Sequence, residues 1–562
     1  GQYSHLINLG SDLSTQINGS SSKIVADEAN TPKIIEMIPE NVLRKLQEVI
    51  GNRGRKHADK QENLNILRKL YELSANDRHR IQVMIGTVAA QFDMISNTLG
   101  YLPLEIWIST IQDVEKTIGL MKNIDDASVN EINREAEEFG LPGMISLQGS
   151  LLSFTQRLDD EFVKALQIIE SNTTEYEEFT KSEKSLYSAL TCAHDYFKSI
   201  GQTEYRCQIL SRQLEHIYFR PEHVISHFGS NNKTVAALCQ DLYKNGTEKI
   251  KIRALLSHVY HLALHGQFII AREIFINSHV SEQLSYLDVS SQILYNRTVV
   301  QLGLAAFQRG LLKETYFALQ EICSSGRPRE LLAQGLQSQK FTDRTPEQGR
   351  ADKQRQLPYH MHINVELIDS VFLTVSMLLE IPQAAAAARR FFKGERKIFT
   401  SRHLRRLIDG YDRNLFNGPP ENTRDHIISA AKALANGNWK RCFDLILASE
   451  LWTVFPSSSG LKDMLQQKIK EASLCTFILA FGPTFANLSI DYLAETFELN
   501  VNTIELLVEK LVEDHDVPLV YNAPFFNWSQ DVEISPLHEL VLQIKDKLAV
   551  IQERNKECLE IA

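Results

Sequence analysis

The chain lacks a C-x-x-C pair, an apolar run approaching 18 residues, a basic-then-apolar leader and every common catalytic string. Each absence removes a class of protein. Its seven cysteines, an odd number spread from Cys192 to Cys558, match neither a disulfide framework nor a zinc site, so a reducing compartment, the cytoplasm, is expected. Without a long apolar run or a leader, membrane and secretory readings fall away. No G-x-x-x-x-G-K-S/T loop, G-x-S-x-G elbow or H-E-x-x-H helix occurs, so no enzyme and no cofactor is expected. A basic excess is missing too: 60 Lys and Arg against 70 Asp and Glu give a net charge of -10 and a pI near 6.0. Any contact with nucleic acid must then come from a local patch. Beginning at Gly1 and not at a Met, the chain reads as a piece of a longer one. What is present is ordinary globular material: 562 residues, 43% hydrophobic and 23% charged. That length suggests roughly four domain-sized units.

Residues 1–34 are polar and rich in Ser, Asn and Gly, which marks a linker or tail. Residues 35–230 carry a helical period, as in Leu64, Leu67, Leu70 and Tyr71, and form an all-α region. Within 231–460, Gly266, Gly310 and Gly437 each separate two helical stretches. Positions around them agree: Phe268, Leu312 and Trp439 stand at +2, Ala271, Thr315 and Cys442 at +5, Phe275, Leu319 and Ile446 at +9. A tight helical hairpin needs glycine at its turn and small residues where helices cross, so the pattern predicts tetratricopeptide-like repeats stacked in a solenoid. A polar, proline-marked break around Arg327-Pro328 and Gln356-Leu357-Pro358 precedes an apolar helix face from Ile363 to Leu379, read as core.

Residues 461–530 read as a winged helix. Ser489 is placed to cap a helix bearing Ile490, Leu493, Ala494 and Phe497; a turn follows at Asn500, and Asn502 with Glu505 has capping-box spacing. Val517 to Tyr521 and Pro524 to Trp528, around Asn522-Ala523, suit the wing hairpin. The second helix offers Glu505, Glu509, Glu513 and Asp514 against Lys510, the wrong balance for phosphates, so this winged helix should dock protein. Phe525, Phe526 and Trp528 are expected on an unpaired sheet edge that joins a partner, the alternative being aromatics folded onto the domain's own helices. In 531–562, Leu537, Val541, Ile544, Leu548, Ile551 and Asn555 alternate by four and three, the seam of a helical bundle with other chains or else a local brace. The predicted fold is all-α dominated: a helical-repeat solenoid, a winged helix and a C-terminal helix. Repeats running into a winged helix are the arrangement of PCI domains.

Charged features divide into bland and sharp. His258, His261 and His265 share a helix face but lack further ligands, and read as packed between repeats, as do His360 and His362. Asp159-Asp160-Glu161 and Glu175 to Glu178 read as solvated helix faces. The sharp feature is basic: Arg389, Arg390, Lys393, Arg396, Lys397, Arg402, Arg405 and Arg406 stand against Glu395 alone. Guanidinium groups match phosphate geometry, so RNA or an acidic protein face is expected there, against a solvated helix pair. Arg53, Arg55 and Lys56 form a smaller candidate of the same kind.

Three strings are more specific: Ser291 to Gly303 (SQILYNRTVVQLG), Leu357 to Leu367 (LPYHMHINVEL), and Asn417-Gly418-Pro419-Pro420-Glu421 to Arg424. They closely resemble the c subunit of eukaryotic translation initiation factor 3, from about Asn63 to the end of the chain. The resemblance implies a scaffold, paired with the factor's a subunit through PCI domains and lying against the protein and RNA of the small ribosomal subunit. It favours RNA for the basic run. The family's acidic, serine-rich N-terminal tail, which docks other initiation factors, is largely absent, so that activity is not carried over. A scaffold of the proteasome lid or signalosome shares the architecture and stands as the alternative; the strings around Tyr295 and His360 favour translation.

Overall fold

The computed structural model describes residues 42–53, 59–95, 100–124, 147–225, 235–335, 346–388, 402–414, 418–455, 458–485, 487–515, 517, 519–522, 525–528, 540–541, 544–545 and 547–552. The first third of these is helical throughout: α1 (Val42–Asn52), α2 (Lys60–Leu73), α3 (Asp77–Phe92), α4 (Leu104–Lys122), α5 (Leu147–Ile168) and α6 (Thr174–Ile200). Short polar residues start these helices where the pattern calls for them. Asp59 accepts from the Gln61 amide at 2.9 Å, and Asn76 from the Arg78 amide at 3.2 Å, satisfying first-turn donors. Their apolar faces meet around Trp107, Phe162, Phe179 and Phe197, and the Trp107 indole N–H donates to the Leu158 carbonyl at 3.2 Å.

The middle of the chain is a series of antiparallel helical hairpins. α7 (Thr203–Ile217), α8 (Val235–Asn245), α9 (Glu248–Leu264), α10 (Phe268–Asn277), α11 (Val289–Gln308) and α12 (Leu312–Ser324) lead to α13 (Val365–Ala388), α14 (Arg402–Arg413), α15 (Thr423–Ala435) and α16 (Trp439–Leu447). Gly266, Gly310 and Gly437 turn three of the hairpins with φ of 72°, 76° and 73°, a left-handed backbone that glycine adopts without strain. The same bond closes each turn: Gln267 to the Leu262 carbonyl, Leu311 to Ala306, and Asn438 to Ala433, all at 3.0 Å. The new helices begin at Phe268, Leu312 and Trp439, and Ala271, Thr315 and Cys442 are wholly buried at the crossings, as the spacing predicts. A fourth turn of this kind, at Gly201 with φ 81°, joins α6 to α7 and lies outside the repeat pattern.

α17 (Ser458–Phe481) runs along α13 and leads into β1 (Asn487–Ser489), α18 (Ile490–Phe497), α19 (Val501–His515), β2 (Leu519–Asn522) and β3 (Phe525–Trp528). The three strands are antiparallel in the order β1-β3-β2. That is the expected winged helix with two local corrections. The Ser489 side chain makes no capping bond, and α19 starts before Asn502: the Asn500 carbonyl accepts from Thr503 and Ile504, so the capping-box reading of Asn502 and Glu505 fails. Among the described residues, the winged helix also has no separate core. One apolar cluster runs from Val300 and Leu319 through Phe372 and Trp452 to Leu493 and Phe526, across the expected division at 460.

Candidate functional site

The strand order decides which aromatics can meet a partner. β3 lies between β1 and β2, with Phe526 opposite both Leu488 and Tyr521, so the run of Phe525, Phe526 and Trp528 is the middle of the sheet and not an edge. Phe526 is 3% exposed and belongs to the core, whereas Phe525 is 43% exposed; Trp528 pairs with Leu519 in the ladder. The expectation of an edge at this run is corrected: strand order is a non-local property, and the outer backbones of the sheet are those of β1 and β2. On α19, Ile504, Val508 and Leu511 face the core, leaving Glu509, Lys510 and Glu513 exposed, a surface of net negative charge. The winged helix is pinned to the last repeat. The Trp439 indole donates to the Thr496 carbonyl at 2.9 Å, and Glu498 bridges Lys440 at 2.9 Å and Lys470 at 3.2 Å.

Of the basic run, Arg389, Arg390, Lys393, Arg396 and Lys397 lie outside the described residues. Arg402 begins α14, and Arg405 and Arg406 are exposed on it while Leu404 anchors the helix in the core. Arg53 is no part of an open patch: it pairs with Asp93 and donates to the Ala89 carbonyl at 3.1 Å, while Arg55 and Lys56 lie outside the described residues. Of the C-terminal seam, Leu537 and Asn555 lie outside the described residues, and Val541, Ile544, Leu548 and Ile551 are 49–55% exposed. At these four positions the described part of the chain leaves the stripe uncovered.

The structure also brings together a polar cluster that sequence reasoning missed. Asp159, read as a solvated acid, is 1% exposed, a correction whose reason is visible in the period: Leu151, Leu152, Thr155, Leu158, Asp159, Phe162 and Leu166 share the buried face of α5. His216 of α7 donates from Nε2 to Asp159 and from Nδ1 to Glu183 of α6, both at 2.8 Å. Two acceptor-only partners require both ring protons, so this imidazole is cationic. Burial lowers its pKa, but Asp159 and Glu183 outweigh that and hold it up to about 10. Burial likewise raises both carboxyls, and His216, with Arg212 at Asp159 and Arg220 at Glu183, brings them below the ordinary range. Arg212 lies 2.9 Å from Asp159, Arg220 pairs with Glu183, and Arg253 meets Glu215 at 2.6 Å.

A strap from the Leu357 to Leu367 string crosses this cluster. Gln167 donates to the Gln356 carbonyl at 2.6 Å, Tyr176 holds His360 Nδ1 at 2.9 Å, and Arg297 of α11 donates to the Met361 carbonyl at 2.8 Å. Burial lowers His360 to about 4, so it is neutral and shares a hydrogen bond with the Tyr176 hydroxyl through Nδ1. His258 and His261 are packed between helices, against the Tyr243 hydroxyl at 3.2 Å and the Tyr218 carbonyl at 3.1 Å.

Comparison with known proteins locates this architecture. The family described as eukaryotic translation initiation factor 3 subunit 8 N-terminus matches residues 11–390, and the PCI domain family matches residues 442–519. The chain is 37% identical to the C subunit of eukaryotic translation initiation factor 3 from Schizosaccharomyces pombe, over 96% of this chain and 62% of that protein. To the corresponding protein of Phaeosphaeria nodorum it is 36% identical, over 94% of this chain and 66% of that protein. The chain thus spans a little under two thirds of the length of these relatives.

Proposed function

The chain belongs to the family of the C subunit of eukaryotic translation initiation factor 3, and from that membership we propose that it is a non-catalytic, cytoplasmic scaffold that gathers initiation-factor subunits on the small ribosomal subunit. Membership of this family, and not of a proteolytic or signalosome assembly, removes the alternative. The observation that carries the scaffold reading is the winged helix itself: it is braced against the last repeat, and its exposed α19 is acidic where a nucleic-acid reader needs cations. Pairing with the factor's a subunit is assigned to the open edges of β1 and β2, with exposed Phe525 beside them. The apolar stripe from Val541 to Ile551 is assigned to a helical bundle with further subunits.

Ribosomal RNA is assigned to the basic run, for which Arg405 and Arg406 on α14 are the exposed described members. Binding of the assembled factor to purified small subunits across a salt series tests this. Replacing Arg405 and Arg406 by Gln should flatten the slope of log affinity against log salt by about one unit for each phosphate no longer engaged. An unchanged slope with undiminished binding returns α14 to a solvated surface helix.

A further inference from the structure

Beside the polar cluster, between α5, α7, α11 and the strap, lies a cavity of about 160 Å³. Phe162, Leu166, Ile293, Leu294, Leu357 and Met361 make much of its wall, and Arg297 reaches it from α11. Arg297 differs from the cations of the cluster. Arg212, His216, Arg220 and Arg253 each face a carboxylate. Arg297, 1% exposed, has the Met361 carbonyl on Nη2 and the Tyr260 ring 5.7 Å from its guanidinium carbon. Among the described residues its Nε and Nη1 make no well-formed hydrogen bond and have beside them the hydroxyls of Tyr218 and Tyr260, not a carboxylate. A guanidinium buried without a counter-charge is costly, and interiors retain such a group where something else completes it.

We propose that this cavity binds a benzene-sized carboxylate, with the ring or branched stem on the apolar wall and the carboxylate accepting from the N–H groups of Arg297 that have only phenol hydroxyls beside them. Size sets the first limit, because a cavity of about 150 Å³ holds benzene. Charge sets the second. Among the described residues Arg297 is the buried cation of the wall that no carboxylate faces, and one carboxylate matches its charge, while Arg355, which also lines the cavity, is exposed. Asp159 and Glu215 also line the cavity but are already neutralised by His216 with Arg212 and by Arg253. A bound acid would join α5 and α7 to α11 and the strap, stiffening the seam between the N-terminal helices and the repeats. The carboxylate belongs either to a free small acid or to the chain end of a partner whose last residue is aromatic or branched.

Calorimetric titration of the whole chain with benzoate and with its neutral isostere benzamide tests the site. A charge-assisted bond to a buried guanidinium should make benzoate at least about tenfold tighter. Arg297→Met should erase that preference. Val163→Trp, which fills the cavity and leaves Arg297 in place, should abolish binding of both probes while helicity is unchanged, and it carries the test if Arg297→Met does not fold. Equal affinities for the two probes, or benzoate binding that survives Val163→Trp, overturns the proposal. A short peptide ending in a free C-terminal Phe separates the sources: tighter binding than benzoate assigns the site to a partner's chain end, and weaker binding assigns it to a free acid.

Discussion

Buried between Asp159 and Glu183, His216 keeps a charge that an exposed histidine loses near neutrality, because each of its nitrogens has a carboxylate to face. Its folded pKa, raised to about 10 from the ordinary 6.5, means that its contribution to stability is complete below pH 6.5 and disappears as pH rises through about 10. Asp159 and Glu183 act in the opposite sense: their folded values are depressed, so their contribution is present above the ordinary carboxylate range and is lost as pH falls below it. Denaturant unfolding at pH 6, 8 and 10 should show stability falling with a slope of at most about 1.4 kcal/mol per pH unit from this one proton. His216→Leu should remove that slope and cost about 3 kcal/mol at pH 6, since it takes the shared partner from two buried carboxylates and leaves them only Arg212 and Arg220; a pH profile unchanged by the substitution refutes the assignment. The aromatics of the wing give a second contrast. Phe526→Asp buries a charge in the core and should unfold the winged helix, whereas Phe525→Asp should leave the fold intact and weaken co-purification with the a subunit. Circular dichroism with pull-down separates the two, and a stable Phe526→Asp protein contradicts the packing.

The hairpin turns were legible because their determinants are local: a left-handed residue, a helix start two residues on, and a small side chain at the crossing are all written within ten positions of Gly266, Gly310 and Gly437. Their substitution should therefore be graded by surroundings. At Gly266 a Cβ meets nothing within 4 Å, so alanine should cost only the left-handed backbone strain of about 1–2 kcal/mol; at Gly310 it also meets Met464 at 3.2 Å, so the destabilisation should be larger. Equal effects in thermal unfolding would show that the turn, and not its packing on α17, sets the cost. The wing's two strands were legible for the same reason, but the place of β3 between β1 and β2 was not, because β1 joins from across two helices. For the C-terminal helix, the exposed Val541, Ile544, Leu548 and Ile551 imply that deleting residues 549–562 spares thermal stability and loosens other subunits. A drop in unfolding temperature on truncation would make the segment a brace of this chain.

Across the whole molecule, apolar clusters overlap from one set of helices to the next, so the division into domains is softer than composition suggests. Ile209 of α7 belongs to the N-terminal core and Leu210 to the next, and the core of the repeats continues into the winged helix. The polar cluster of Asp159, Glu183 and His216 escaped the sequence because its members come from three helices, although each sits on an otherwise apolar face that could have flagged it. A continuous frame of this kind suits the proposed scaffold, in which the winged helix is assigned to protein partners and α14 to the ribosome. Residue-resolved crosslinking of the chain within the assembled factor, bound to the small ribosomal subunit, tests that claim most directly. RNA crosslinks are expected from the 402–413 helix, and protein crosslinks from β1, β2 and the 540–552 segment to other members of the factor. RNA crosslinks concentrated on α19, or an α14 that reaches neither ribosomal RNA nor ribosomal protein, would contradict it.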